Sequence, residues 1–275
     1  MNLLAHREHG AGSPLVFLHG NPTSSRLWRN VMPSLPGRRL APDLIGMGDS
    51  PKPAIEYSFD DHARHLDAWF DALELDDVVL VGHDWGGALA ADWASRHPGR
   101  VRGLAFTEAV LKPMTWEEFP PEGAAVFRAI KTPGVGEAMI ADFFGGLPAE
   151  YREPYTSEDS YAPLLRWARS LPLGGEPAPV VARIEAFGRW LASTPAVPKL
   201  LITFEPGFGT MLTPSMIDRC AREFAALEVV HHPVVAGHHT PEDQPELIAK
   251  TLARWLADVV AGAAVRRELE ADVGR

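Results

Sequence analysis

A chain of 275 residues, 46% of them hydrophobic, can bury one large core plus an insertion, so a single α/β domain accounts for it and no second domain is required. A net charge of −10, without any clustered run of Lys and Arg, argues against nucleic acid and anionic membrane as partners and leaves a neutral small molecule as the compatible ligand. The one cysteine, Cys220, excludes an intramolecular disulfide and agrees with a reducing compartment. With no export signal at the start and no run long enough to span a bilayer, the expected location is the cytoplasm.

In chain order, apolar runs at 15–18, 39–42, 78–81, 103–106, 199–204 and 228–231 read as buried parallel strands. Helical patterns separate them. Leu66, Trp69, Phe70 and Leu73 share one helix face behind Asp60 and Asp61, and Ile248, Leu252, Trp255 and Leu256 make another behind Pro245. Alternating strand and helix implies a mostly parallel sheet with helices on both faces. The alternation stops between about Leu111 and Ser193, where Pro, Gly and aromatic residues interrupt helix-like pieces such as 180–191 and no convincing strand appears. The expected organisation is therefore a core of residues 1–110 and 193–275, with a helical cap inserted at 111–192.

The most telling stretch is Gly82-His83-Asp84-Trp85-Gly86-Gly87. A β-branched run ends at Gly82 and an Ala- and Leu-rich helix begins at Trp85, so Asp84 sits on a strand-to-helix corner of the nucleophile-elbow kind. Small residues on both sides let strand and helix approach closely and push the central side chain out above the sheet. A helix N-cap also favours Asp, but a cap does not require glycine on both sides. An Asp displayed in this way can attack carbon, giving a covalent ester that a second step must cleave.

Cleaving that ester needs a base that activates water, and imidazole titrates near neutrality. The elbow architecture places the base in a loop after the last strand, so of 11 histidines His238 and His239 qualify, and residue type alone does not separate them. His19 and His83 flank glycine and read as residues that hold loops by hydrogen bonds. A metal site at His231-His232 with His238-His239 lacks a carboxylate at ligand spacing, so no metal is expected. Two strand-end carboxylates compete to orient the base, Glu108 and Glu205, and Glu108, at the edge of the cap, is preferred. A leaving group must also be stabilised. The segment His19-Gly20-Asn21-Pro22 follows the first apolar run, so Asn21 can point where Asp84 points, and Trp85 adds an indole N–H; two neutral donors suit a large monovalent anion such as halide.

Together, the segments 19–30, 41–50 and 82–87 resemble the haloalkane dehalogenases of the α/β-hydrolase superfamily, and cap and post-cap segments at 115–120, 151–154, 173–177 and 197–200 are similar as well. The resemblance is to the branch with an Asp-His-Glu triad. It implies an α/β-hydrolase fold, Asp84 as nucleophile, His238 as base, Glu108 as acid, and Asn21 and Trp85 as halide donors whose backbone amides form the oxyanion hole. It implies no cofactor, a small halogenated hydrocarbon as substrate and halide as product. Trp116, Phe119, Phe143, Phe144, Trp167, Leu171 and Phe208 are the candidate pocket walls, a set without charge that favours a halocarbon.

The chain departs from the family in three places. Only eight residues precede His9 and Gly10, so an edge strand is expected to be missing; the cap is shorter between Asp142 and Tyr151, where a Gly pair and a Pro predict a compact loop and a wider entrance; and His239 and Thr240 replace an apolar pair after the base. Epoxide hydrolases share the His-Asp-Trp-Gly elbow and are the rival reading, with Tyr151, Tyr155 and Tyr161 available to protonate an epoxide oxygen. Asn21 and the lack of an Asp at position 205 weigh against them.

Overall fold

A computed structural model describes residues 3–273, with residues 141, 143–145, 158 and 260–273 described by their backbone alone. Seven strands form one sheet in the order β1-β3-β2-β4-β5-β6-β7. In chain order the elements are β1 (His6–His9), β2 (Pro14–Leu18), β3 (Arg38–Pro42), α1 (Phe59–Ala72), β4 (Val78–His83), α2 (Trp85–Arg96) and β5 (Val101–Thr107). Five helices follow without a named strand: α3 (Pro121–Ile130), α4 (Val135–Gly145), α5 (Ala149–Arg152), α6 (Ala162–Ser170) and α7 (Ala178–Ser193). The sheet resumes with β6 (Lys199–Pro206), then α8 (Pro214–Glu223), β7 (Leu227–Ala236), α9 (Thr240–Asp243) and α10 (Pro245–Val273). This is the mostly parallel, helix-flanked sheet expected from the alternation of strands and helices, in the α/β-hydrolase architecture that the resemblance implied.

Each central strand buries both faces because successive side chains point to opposite sides of the sheet. Val16, Leu18 and Leu80 join a core beneath α1, α2 and the helical insertion, whereas Leu15, Phe17, Val79 and Val81 join a second core that contains Trp28 and α10's Trp255. Helix α1 starts where its sequence says it should: Ser58 and Asp61 form a reciprocal capping box, and Phe59, Leu66, Trp69 and Phe70 are its buried side. Lys199, at the start of β6, is completely buried, and its ammonium is tolerated there because the carbonyls of Thr194, Val197 and Ala225 accept its three N–H groups at 2.7–2.9 Å. No helix among the described residues is long and apolar enough to cross a membrane.

Two expectations need correction. The edge strand is present: β1 pairs antiparallel with β3 from His6 opposite Pro42 to His9 opposite Arg39. Its sequence, His-Arg-Glu-His, carries no apolar alternation, since an edge strand of four residues is held mainly by its backbone bonds. The second concerns residues 142–150. Instead of a compact loop, helix α4 continues to Gly145, and α5 starts again at Ala149 after a short break. Glycine at the last helical turn ends the helix without preventing it.

The connection order fixes where chemistry can occur. Strand β2 leads to β3 on one side, and the chain then returns to place β4 on β2's other side. The carboxyl ends of β2 and β4 therefore border the switch point where α/β sheets bind ligands. Asn21 follows β2 and Asp84 follows β4. Contact between them requires glycine: a Cβ on Gly86 would lie 2.1 Å from the Leu18 carbonyl oxygen of β2, and one on Gly82 2.4 Å from the Gly87 Cα. Gly86→Ala should thus force backbone apart, costing about 1–3 kcal/mol and lowering Tm by on the order of 5 °C. Gly99→Ala, where an added Cβ meets nothing within 4 Å, should leave Tm unchanged in the same thermal-denaturation series; equal shifts would refute the close-approach argument.

Candidate active site

Asp84 occupies the corner between β4 and α2 with φ 50° and ψ −126°, a backbone region that a non-glycine residue adopts only when its surroundings impose it. The surroundings do so here. The Asp84 amide donates to the Glu108 carbonyl at 3.2 Å, while its own carbonyl accepts from Gly87 at 3.0 Å and Val110 at 3.2 Å. The side chain consequently projects past the end of the sheet, yet Asp84 is only 3% exposed. The Asn21 amide donates to its Oδ2 at 2.7 Å, and the Trp85 amide also donates to the carboxylate. Burial nevertheless pushes the Asp84 pKa up to about 6, against the opposing pull of His238 and the two amides.

Across from it stands His238, in the loop after β7, with Nε2 3.9 Å from Asp84 Oδ1. Its Nδ1 donates to Glu108 Oε2 at 3.3 Å, and the Met211 amide donates to that same oxygen at 2.7 Å. Burial alone would favour neutral imidazole, but the Glu108 hydrogen bond and the charges of Asp84 and Glu108 outweigh it and raise the His238 pKa. The two alternatives lie elsewhere. Glu205 is exposed and faces His231 at 3.3 Å, and His239 is driven down to about pKa 3 by burial, with its Nε2 buried and without a hydrogen-bond partner. Asp84, His238 and Glu108 are therefore the carboxylate, imidazole and second carboxylate that the fold brings into one row.

The halide candidates flank this row. Trp85 follows Asp84 directly, and its ring stacks on Trp167 of α6 with centroids 4.5 Å apart and planes at 26°. Asn21 donates one Nδ2 hydrogen to the Leu164 carbonyl of α6 at 3.1 Å, which leaves its second N–H for another acceptor.

A family model described as the α/β hydrolase fold matches residues 13–144. A haloalkane dehalogenase of Agrobacterium fabrum is 42% identical over 92% of this chain and 88% of its own length, and one of Mesorhizobium japonicum is 41% identical over 94% and 89%. The chain belongs to the haloalkane dehalogenase family. Solved structures agree. The haloalkane dehalogenase DatA from Agrobacterium tumefaciens superposes with a TM-score of 0.85 at 40% identity, covering 92% of each chain. A loop variant of the dehalogenase DbeA from Bradyrhizobium elkanii gives 0.89 at 39% identity, covering 96% of this chain and 95% of that one.

Within this haloalkane dehalogenase fold, the candidate pocket walls separate. Trp167 reaches the site: besides stacking on Trp85, it meets Phe59 edge-on at 6.1 Å and His62 face-on at 4.3 Å. Phe119 and Leu171 are buried in the core beneath the insertion, Phe119 edge-on to Phe127. Trp116 is half-buried under the Arg128 guanidinium and beside Gly174. The side chains of Phe143 and Phe144 lie outside the described residues. Phe208 is not a wall: it is 90% exposed, because a turn closed by Thr210 on Gly207 presents it outward. What sequence reading missed is Leu164, whose carbonyl meets Asn21 143 positions away, a contact that no local pattern encodes; Trp167 on the same helix was named as a wall.

The elevated Asp84 pKa links stability to pH. Its folded pKa of about 6 lies above the ordinary 3.8, so the native state holds the proton more tightly between these values. Stability is therefore highest below the unfolded pKa and falls as pH rises through the folded one, by up to about 3 kcal/mol. Asp84→Asn removes that deficit. The variant should unfold on the order of 5–10 °C higher than the parent at pH 7.5, and the gain should shrink toward pH 4, as measured by thermal melts at both values.

Proposed function

We propose that this chain hydrolyses haloalkanes to an alcohol and a halide, with Asp84 as nucleophile, His238 as base and Glu108 as its supporting acid. The observation that carries this reading is the buried row: an elbow carboxylate under two backbone amides, an imidazole at 3.9 Å, and a second carboxylate on the far side of that imidazole. Its relatives' shared name, haloalkane dehalogenase, supports the same chemistry.

Asp84 Oδ1, the oxygen facing His238, attacks the halogen-bearing carbon in line; the new C–O bond forms as the carbon–halogen bond breaks. The halide takes the electron pair and is received by the free Asn21 Nδ2 hydrogen and the Trp85 indole. Water then adds to the Asp84 carboxyl carbon while His238 Nε2 takes a proton from it. Negative charge builds on Oδ2, where the Asn21 amide already donates, with the Trp85 amide also on the carboxylate. Collapse expels the alcohol oxygen, which takes the proton from His238, and Asp84 is restored with net release of one proton. Glu108 holds the imidazole through Nδ1 and stabilises its charged form. No cofactor enters these steps. The helical insertion acts as the lid, and the cytoplasm is the proposed compartment, consistent with the buried free thiol of Cys220.

Epoxide opening would need a phenol aimed at Asp84. Tyr151 instead donates to Glu242, and the Tyr155 hydroxyl is buried beside the Gly48 backbone. A halide-release panel of brominated, iodinated and chlorinated alkanes, with styrene oxide as a control, tests the assignment directly. Asp84→Ala should abolish halide release, whereas His238→Phe should release one halide per site and stall as an alkyl-enzyme visible by intact mass; substantial turnover by either variant would end this mechanism.

The pH dependence follows from the two shifted groups. Alkylation needs ionised Asp84 and should fail below about pH 6. Ester hydrolysis needs neutral His238; its pKa is raised in the free enzyme by the Glu108 hydrogen bond and the charges of Asp84 and Glu108, and esterification removes the Asp84 contribution. Stopped-flow halide bursts should accordingly vanish as pH falls through about 6. Glu108→Gln should depress turnover at least about tenfold more than Glu205→Gln, and the reverse ranking would move the acid to Glu205.

A further inference from the structure

His83 plays no part in the steps above, although it is the last residue of β4 and immediately precedes the proposed nucleophile. It is completely buried, and its Nε2 donates to the backbone carbonyl of His238 at 2.8 Å, with the two rings 4.8 Å apart. The other backbone group of His238 is also held, since its amide donates to the Phe208 carbonyl at 2.8 Å. The residue before it is held as well, through the Gly237 amide on Asp243 Oδ2 at 2.7 Å. Of these ties, only the His83 bond comes from the strand that carries Asp84.

We propose that His83 is a positioning residue for the second half-reaction, fixing the base against the nucleophile by hydrogen-bonding the His238 carbonyl. The chain path is short: Asp84 follows His83 directly, and the His83 imidazole spans to the residue whose Nε2 must face Asp84 Oδ1. Its backbone is fixed independently by pairing opposite Thr107 in β5, so the side chain projects from a rigid strand. Only one tautomer makes the bond, with the proton on Nε2. Nδ1 is buried without a partner, and a second proton there would be charged and unsolvated. Burial, reinforced by His238, His239 and His19 nearby, holds His83 well below the ordinary imidazole range, so the donor stays neutral and in place. His83 does not touch the attacking Oδ1 or the halide donors. It should therefore affect ester hydrolysis and leave alkylation alone.

This inference rests on the dehalogenase mechanism, and the test separates the two. His83→Phe and His83→Met remove the donor, whereas His83→Gln keeps an N–H at similar reach. In quench-flow with a bromoalkane, the halide burst of the donor-less variants should stay within about threefold of the parent. Their steady-state kcat should fall on the order of 10- to 100-fold, the loss expected for a misplaced reacting group, with alkyl-enzyme accumulating by intact mass. The Gln variant should recover most of the turnover. Unchanged kcat in both donor-less variants, equal loss of burst and turnover, failure of Gln to recover, or loss of folded protein in both Phe and Met variants would each overturn the positioning role. A parent protein that releases no halide would overturn the mechanism itself, and this role with it.

Discussion

The whole site depends on keeping one buried carboxylate ionised where little water reaches it. Asp84 is 3% exposed, and burial is the largest influence on its pKa. Two backbone amides oppose that influence because they are fixed in place by the elbow and by the turn after β2, so they need not reorganise when charge moves. The same rigidity accounts for the glycines. Gly82 and Gly86 have no room for a Cβ because the strand, the elbow and the β2 backbone meet there, and that meeting places the Asn21 amide 2.7 Å from the carboxylate. Close packing and charge stabilisation are one constraint expressed twice.

Much of this was legible in the sequence, for reasons that differ from element to element. The six apolar runs correspond to β2 through β7 within a few residues; β2, β4 and β5, buried on both faces, need continuous apolar sequence, whereas β7 is an edge strand that the structure leaves partly exposed rather than buried. Strand β1 was illegible because its exposed edge makes no such demand. The elbow was legible because a strained Asp between a strand and a helix needs small residues on both sides, a pattern that neither an ordinary cap nor an ordinary turn demands. Residue type did not choose between His238 and His239, since adjacent positions differ only in which way they face, and only the family resemblance favoured His238. The structure separates them by surroundings: His238 meets Glu108, whereas His239 is buried without a partner for Nε2. Phe208 misled for the opposite reason. An aromatic residue between glycines resembles a pocket wall in sequence, but the hydrogen bonds of the 207–210 turn decide its direction.

The helical insertion meets the site at positions that periodicity does not announce. Helix α6 supplies both the Leu164 carbonyl that takes one Asn21 hydrogen and the Trp167 ring that covers Trp85. Helix α5 adds Tyr151, which donates to Glu242 Oε1, the oxygen that Arg29 also pairs with. Thus each group proposed to receive the halide is also in contact with α6. The break between α4 and α5 lies outside α6, so it leaves these contacts in place.

The histidines show how the fold distributes charge around this site. His19, His62, His83 and His239 all have lowered pKa values, with burial the largest cause in each, and His62 is held at about 3 beneath Trp167. His238 alone among these buried imidazoles is raised, because it faces both Asp84 and Glu108. The consequence is chemical. A fixed cation beside the indole would bind a departing halide tightly and slow its escape, whereas neutral N–H donors stabilise the charge as it develops and release it to water afterwards. Burial keeps the surrounding imidazoles neutral, and the two carboxylates reserve positive charge for the one imidazole that must carry a proton.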